Sequence, residues 1–333
     1  MKRVLTGMAE NLSNKTASAW LRLLRVPNLL TVPGDPLAGF LLSTHGGPLR
    51  WAALSAIVAS LCFYCAGLIL NDIADLERDR KERPGRPLPS GMISPRMALA
   101  AFCVFSLLAL VFSFLAGLKS FYAGLILFSA ILSYNLLFKA VPWLGPLNMG
   151  LCRGLSVLLG AAVNIFPPVF PLHVLLACGI ITLFVAAVTQ LARYEMEPQK
   201  IAGRIRAFPS GVLAAGLVVF LKAHHFPSLW ANLAFTATFF LALFLSLTAS
   251  INIAIGVVLD ARKKRDPEFG HWMNTSGKEY LLPEAIGLML GCLLLIQSSF
   301  TFAGGGTIGF VSGLTLLVLW PLNRIISRKF YAS

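Results

Sequence analysis

The sequence predicts an all-α polytopic membrane protein, a bundle of nine or ten transmembrane helices in a single domain. Three observations carry this. The chain has 333 residues, 57% of them hydrophobic, and its mean hydropathy is +0.76, which excludes an ordinary soluble domain. Apolar stretches of about 18 or more residues with few charges recur along almost the whole length, each long enough to cross a bilayer as a helix. The basic residues, finally, collect in alternate loops. Short alternating runs of the kind a barrel needs are not the pattern, and continuous apolar runs satisfy their backbone in lipid only as helices. The net charge of +14 is therefore read as membrane orientation rather than as affinity for nucleic acid, which is not an expected partner.

Residues 1–26 carry Lys2, Arg3, Lys15, Arg22 and Arg25, with Ala19, Trp20, Leu21, Leu23 and Leu24 among them. This reads as a cytosolic arm ending in an interfacial helix, with no cleavable signal peptide expected in so polar a start. Residues 27–323 form the transmembrane domain and 324–333 a cytosolic tail. The first span, about 28–46, is interrupted by Pro33, Gly34, Asp35 and Pro36. Asp35 is either an intramembrane functional carboxylate or the cap on a helix restart. Spans at about 51–70, 97–117 and 119–137 come next. The fifth, about 146–166, contains Asn148, Arg153 and Asn164, and Arg153 either snorkels to the cytosolic end or points inward. The rest lie at about 172–190, 208–222, 229–258, 282–300 and 304–322. The overlong 229–258 segment is tilted or runs on into an extramembrane helix with Asp260, Arg262 and Lys263, and Gly304 to Gly306 make a turn. The six cysteines all fall in spans, where Cys62 and Cys65 read as small packing residues rather than a redox pair. The five histidines show no zinc spacing.

Chemistry concentrates where the second span ends. Asn71 to Gly91 reads N-D-I-A-D-L-E-R-D-R-K-E-R-P-G-R-P-L-P-S-G. If the helix continues past Leu70, Asp72, Asp75 and Asp79 share one face at i, i+3 and i+7, with Asn71 beside it. Carboxylates crowded in this way repel one another unless a cation neutralises them. Mg²⁺ suits such a group, taking one or two carboxylates and completing its shell with water and substrate phosphates. Arg78 and Arg86 are placed to grip a diphosphate from the other side. A solvated loop of mixed charge explains the charges but not the register.

The string N-D-x-x-D-x-x-x-D followed by R-P-L-P-S-G resembles the first aspartate-rich motif of the UbiA superfamily of intramembrane prenyltransferases. Asn71, Asp72, Asp75 and Asp79 fall on that motif one for one, and Arg86 to Gly91 match its tail. The resemblance implies that the three aspartates hold catalytic Mg²⁺ and that Asn71, Arg78 and Arg86 contact substrate. It extends to Tyr134 and Lys139, in S-Y-N-L-L-F-K, as a tyrosine–lysine substrate element, and to an inward Arg153 as a diphosphate ligand. The family has a second aspartate-rich motif after its sixth span. Here that place, Thr189 to Gly211, ends in Pro209-Ser210-Gly211 as the first stretch ends in Pro89-Ser90-Gly91. It carries no aspartate, only Glu195 and Glu197 with Gln190 and Arg193. Glu195 is the expected catalytic residue of this segment, with Gln190 and Arg193 toward substrate. The i, i+2 glutamates do not share a helical face, so a complete two-metal site is in question.

The function implied is Mg²⁺-dependent transfer of a prenyl group from a prenyl diphosphate to a lipid-soluble or aromatic acceptor, through an allylic cation. The expected surroundings are membrane lipids, in a bacterial inner (plasma) membrane, with the active site toward the cytosol. The competing class is a transporter or a catalytically divergent lipid-binding member of the same superfamily. Charges gathered at one membrane face, rather than at mid-span, favour the enzyme. Of the 28 Lys and Arg, 24 lie in the N-terminal arm, the tail and alternate loops, and only Arg50, Lys119 and Lys222 fall on the other side. A reporter fused after Ser333 is therefore expected in the cytosol and one inserted at Gly305 outside. An external C-terminus overturns the ten-span topology.

Overall fold

Every regular element is a helix among the residues described by the computed structural model, which are 16–164, 170–194, 201, 203–265 and 282–331. A short helix at 16–23 (α1) leads into α2 (Val26–Leu29) and α3 (Gly34–Thr44). Next come α4 (Trp51–Ala74), the short α5 (Leu76–Glu82), α6 (Pro95–Leu115), α7 (Leu118–Ser133), α8 (Leu144–Ala161) and α9 (Leu172–Ala192). The chain ends with α10 (Gly203–Ala223), α11 (Leu229–Arg265), α12 (Leu282–Gly304) and α13 (Gly306–Tyr331). Eight of these helices, α4, α6, α7 and α9 to α13, are long and apolar enough to cross a membrane, so the protein is a multi-pass integral membrane protein. Among the described residues the bundle holds ten helices, because α3 and α8 join the eight. At 11 residues α3 is too short to cross alone, and α8 is diluted by glycines, Asn148 and Arg153. The single first span expected from sequence is thus a broken one.

The break lies where proline predicted it. The turn at 30–33 ends in Pro33, which stands at the N-cap of α3 without a side-chain cap bond. Asp35 is therefore not the cap. The Asp35 backbone N–H bonds the Val32 carbonyl at 3.3 Å, and the Thr31 carbonyl accepts instead from side chains of α8 and α12. The turn between α12 and α13 is also as expected, with Gly305 and Gly306 at φ of 75° and 67°. The overlong span is one continuous α11, and α13 runs past Pro321 through Tyr331, so the segment from Arg324 continues the last helix.

α12 is the inner pillar of the bundle, with 83% of its spanning window buried. It packs along α11, α13 and α3, while α8 lies along α9 and α3. The close approaches need glycine. A Cβ on Gly39 of α3 would stand 2.0 Å from the Val157 carbonyl oxygen of α8, and one on Gly160 of α8 would stand 1.9 Å from that of Pro36. Gly150 and Gly154, four apart on α8, meet Thr182 of α9 in the same way. Small residues at this spacing let helix backbones touch where no hydrophobic force separates lipid from protein. The apolar core that joins α3, α8 and α9 continues among α10, α11 and α12, where Phe220, Phe235, Phe239 and Phe300 are all fully buried.

Gly160→Ala is expected to force α3 away from α8 and lower stability by about 1–3 kcal/mol, the usual cost of overpacking. Thermal unfolding of the purified protein in detergent measures this. An unchanged midpoint sinks the assignment of this contact.

Candidate active site

The site forms where α4 runs out of apolar residues. The helix continues past Leu70 to Ala74, turns at Asp75, and resumes as α5. The register expected for three carboxylates therefore survives only in part. Asn71 stands between Asp72 and Asp75, donating from Nδ2 at 3.3 and 3.5 Å. Asp79 instead accepts from Arg86 Nη1 at 2.6 Å. Among the described residues, no three His, Cys, Asp or Glu side chains are grouped to hold a metal ion.

Each of the three carboxylates meets its own cation. Asp72, 6% exposed, pairs with Arg25 at 3.4 Å. Asp75 pairs with Lys139, whose Nζ also donates to Asn71 Oδ1 at 2.7 Å. Asp79 pairs with Arg86. Lys139 comes directly after a π-helical turn at Tyr134–Phe138. Such turns insert a residue into the helical register and re-aim the side chains beyond it, often at functional sites. Burial pushes the Lys139 ammonium below its ordinary pKa, while its hydrogen bond and charge contact with Asp75 oppose the shift. Arg78 is exposed beside Glu82 at 3.3 Å. Arg193 donates to the carbonyls of Ala140 and Val141, both at 3.1 Å, and so ties the end of α9 to the loop after Lys139.

Two adjoining cavities open from this cluster. The outer one, about 560 Å³, is lined by Asp75, Arg78, Lys139 and Arg193. The inner one, about 280 Å³, runs below Asn71 between Phe63, Leu68, Leu127 and Ile131. Tyr134, Asn135 and Thr189 line both. A charged mouth thus leads into a largely apolar interior. At the far side Arg153 points inward rather than snorkelling, with Nε 2.8 Å from Asp35 and Nη2 2.8 Å from the Thr31 carbonyl. Gln297 of α12 donates to the same carbonyl at 2.7 Å and to Asp35 at 2.5 Å.

Most residues expected from sequence therefore come together: Asn71, Asp75, Arg78, Tyr134, Lys139 and Arg193 line the two cavities, Arg153 lies within, and Asp72, paired with Arg25, lines neither. Arg86 is engaged with Asp79. Gln190 is buried and lines neither cavity, its neighbour Thr189 taking that place one step round the helix. Glu195 and Glu197 lie outside the described residues. Arg25, Asn135 and Thr189 are site residues that sequence reasoning misses. In the sequence Arg25 is only one more cation of a surface helix, and two uncharged residues within apolar spans give no distinct signal. The donor set suits a hard cation, because Asp72, Asp75 and the Asn71 amide oxygen supply the one or two carboxylates that Mg²⁺ usually takes from protein.

The model of the UbiA prenyltransferase family matches residues 36–276. Digeranylgeranylglyceryl phosphate synthase of Methanocaldococcus jannaschii is 30% identical over 167 residues, which are 50% of this chain and 58% of that protein. The 4-hydroxybenzoate octaprenyltransferase of Aeromonas hydrophila subsp. hydrophila is 39% identical over 70 residues, 20% of this chain and 24% of that one. The chain thus aligns with 58% or less of the length of these curated relatives. Among solved structures, a UbiA homolog from Aeropyrum pernix K1 superposes with a TM-score of 0.59 at 18% identity, covering 82% of this chain and 96% of that one. A homolog from Archaeoglobus fulgidus bound to DMAPP and Mg²⁺ gives 0.50 at 19% identity, covering 87% and 99%. These likenesses concern the fold. With the family model spanning most of its length and the aspartate string at the mouth of its cavity, the chain belongs to the UbiA prenyltransferase family.

Proposed function

We propose that the protein is an intramembrane prenyltransferase that moves a prenyl group from a prenyl diphosphate to a lipid-soluble or aromatic acceptor, with its site toward the cytosol. The observation that carries the proposal is the junction of a mouth lined by Asn71, Asp75, Arg78 and Lys139 with an apolar cavity directly beneath it. An amphipathic donor has that shape of chemistry, an anionic head and a hydrocarbon tail. The relatives named as transferases and the homolog bound to DMAPP and Mg²⁺ support the reading.

In this reading Lys139, Arg78 and Arg193 hold the diphosphate oxygens at the outer cavity through charge-assisted hydrogen bonds, which are stronger than neutral ones. Asp72 and Asp75 would hold Mg²⁺, which would neutralise the charge that grows on the diphosphate. The bond between the allylic C1 and its oxygen breaks, the electron pair leaving with diphosphate. Phe63, Leu127 and Ile131 keep water from the cation, and the faces of Phe63, Tyr64 and Tyr134 ease its charge. The acceptor bonds to C1 and gives up a proton. The sequence carries Glu195 after α9 where the family has its second aspartate-rich motif, and in this reading it serves as an acid–base group or a further ligand. The missing aspartates after α9 favour one competing reading, a divergent member that binds isoprenoid without transferring it.

Asp72→Ala and Asp75→Ala are each expected to lower transfer by tens-fold or more, since the electrostatic stabilisation lost amounts to several kcal/mol. The assay is turnover of purified protein with prenyl diphosphates at saturating Mg²⁺, its acceptor taken from mass spectrometry of lipids in cells with and without the gene. Near-parental turnover in both variants defeats the mechanism, and donor binding without turnover in the parent selects the divergent reading.

A further inference from the structure

The inner cavity has two unlike walls. Along one, Arg25, Asn28, Thr31 and Asp35 succeed one another inward from the mouth. Arg25 precedes α2, Asn28 lies in it, Thr31 lies in the turn and Asp35 in α3, and all four line the cavity. Opposite them, Phe63, Gly67 and Leu68 of α4 and Leu127 and Ile131 of α7 are apolar. Arg153 and Ser156 of α8 close the polar wall at its inner end, where Ser156 bonds Ser60 of α4 at 2.6 Å. Ser60 and Asn71 both line the cavity from the same helix, and their separation of 11 positions gives it a length of about 16 Å.

A prenyl tail matches the apolar wall but not the polar one, where Thr31 Oγ1 donates to the Asn28 carbonyl at 2.8 Å and accepts from Arg153 Nη2 at 3.3 Å. The charges on that polar wall are already compensated. Arg25 meets Asp72 at 3.4 Å, and Arg153 meets Asp35 at 2.8 Å. Gln297 further fixes the Asp35 carboxylate at 2.5 Å. An anion placed here is buried with no counter-charge left to receive it. A hydroxyl both donates and accepts, so it bonds along the wall without adding charge. Fastening the broken helix to α8 and α12 needs only an ion pair sealed in protein, whereas Arg153 keeps part of its surface open and lines the cavity beside Thr31 and Ser156.

We infer that the wall from Asn28 to Arg153 is the acceptor subsite and selects an uncharged, hydroxyl-bearing acceptor over one bearing a carboxylate or phosphate. The acceptor role rests on the prenyl-transfer reading and narrows it to a substrate class.

The test uses the purified full chain in nanodiscs without donor, titrated by saturation-transfer NMR with 4-hydroxybenzyl alcohol and with 4-hydroxybenzoate. The probes share a phenol ring and differ in a hydroxymethyl against a carboxylate group. The alcohol is expected to bind at least tenfold tighter. Asp35→Asn keeps the side-chain shape but uncovers Arg153, and is expected to shift the preference at least tenfold toward the carboxylate, which a merely structural pair does not do. Asn28→Leu is expected to weaken the alcohol about tenfold. The inference is overturned by equal or tighter binding of the carboxylate to the parent, or by no saturable binding of the alcohol. An unchanged preference in folded Asp35→Asn also overturns it. Where Asp35→Asn does not fold, parental affinity in Asn28→Leu does so. Because donor is absent, a chain that binds the alcohol in this way but transfers nothing overturns the enzyme and leaves the subsite standing.

Discussion

A carboxylate enclosed by apolar helices carries a desolvation penalty of several kcal/mol unless a cation and hydrogen bonds meet it, and this constraint organises the interior. Four buried or half-buried aspartates are each matched by a basic residue, Asp35 by Arg153, Asp72 by Arg25 and Asp75 by Lys139 from other segments, and Asp79 by Arg86 seven positions on. The Asp75–Lys139 pair lines the outer cavity and the Asp35–Arg153 pair the inner one. Of these cations Lys139 is also the one that the proposed reaction uses to hold a diphosphate, so there a resting charge pair and a proposed substrate contact share a side chain.

The cavity between them exists because two helices are imperfect. The first is broken at Pro33, which leaves the Thr31 carbonyl to Arg153 and Gln297 rather than to its own helix. α8 is too rich in glycine to be a strongly apolar span, yet its glycines let it touch α3 and α9 backbone to backbone. Irregular backbone is tolerated at membrane depth where it is covered by protein or lines a cavity, and here it does both. The π turn ahead of Lys139 is a third irregularity, at the mouth. The longer regular helices, α6, α10, α11 and α13, stand outside this centre with much of their surface exposed.

The fold is largely legible in the sequence because hydropathy and charge parity are properties of consecutive residues. Span length, the break near Pro33, the turn at Gly305 and the overlong eighth span all stem from them. The motif at Asn71 to Asp79 is legible for the same reason, as an ordered string on one helix end. Where it misleads, the cause is also local: the helix turns at Asp75, and Arg86 draws Asp79 aside. The partners that complete the site belong to other segments. Arg25 lies 47 positions from Asp72, and Lys139 lies 64 from Asp75.

Sequence alone thus determined that the chain crosses a membrane many times and gathers carboxylates where the second span ends, since both are written in short runs of apolar and charged residues. Only the tertiary structure decided which cation each carboxylate meets, that Arg153 turns inward to Asp35, and that Thr189 rather than Gln190 faces the cavities. Those outcomes depend on how helices rotate and approach one another. Glycine contacts and the energy of enclosing a charge govern that approach, and neither is a property of any one segment.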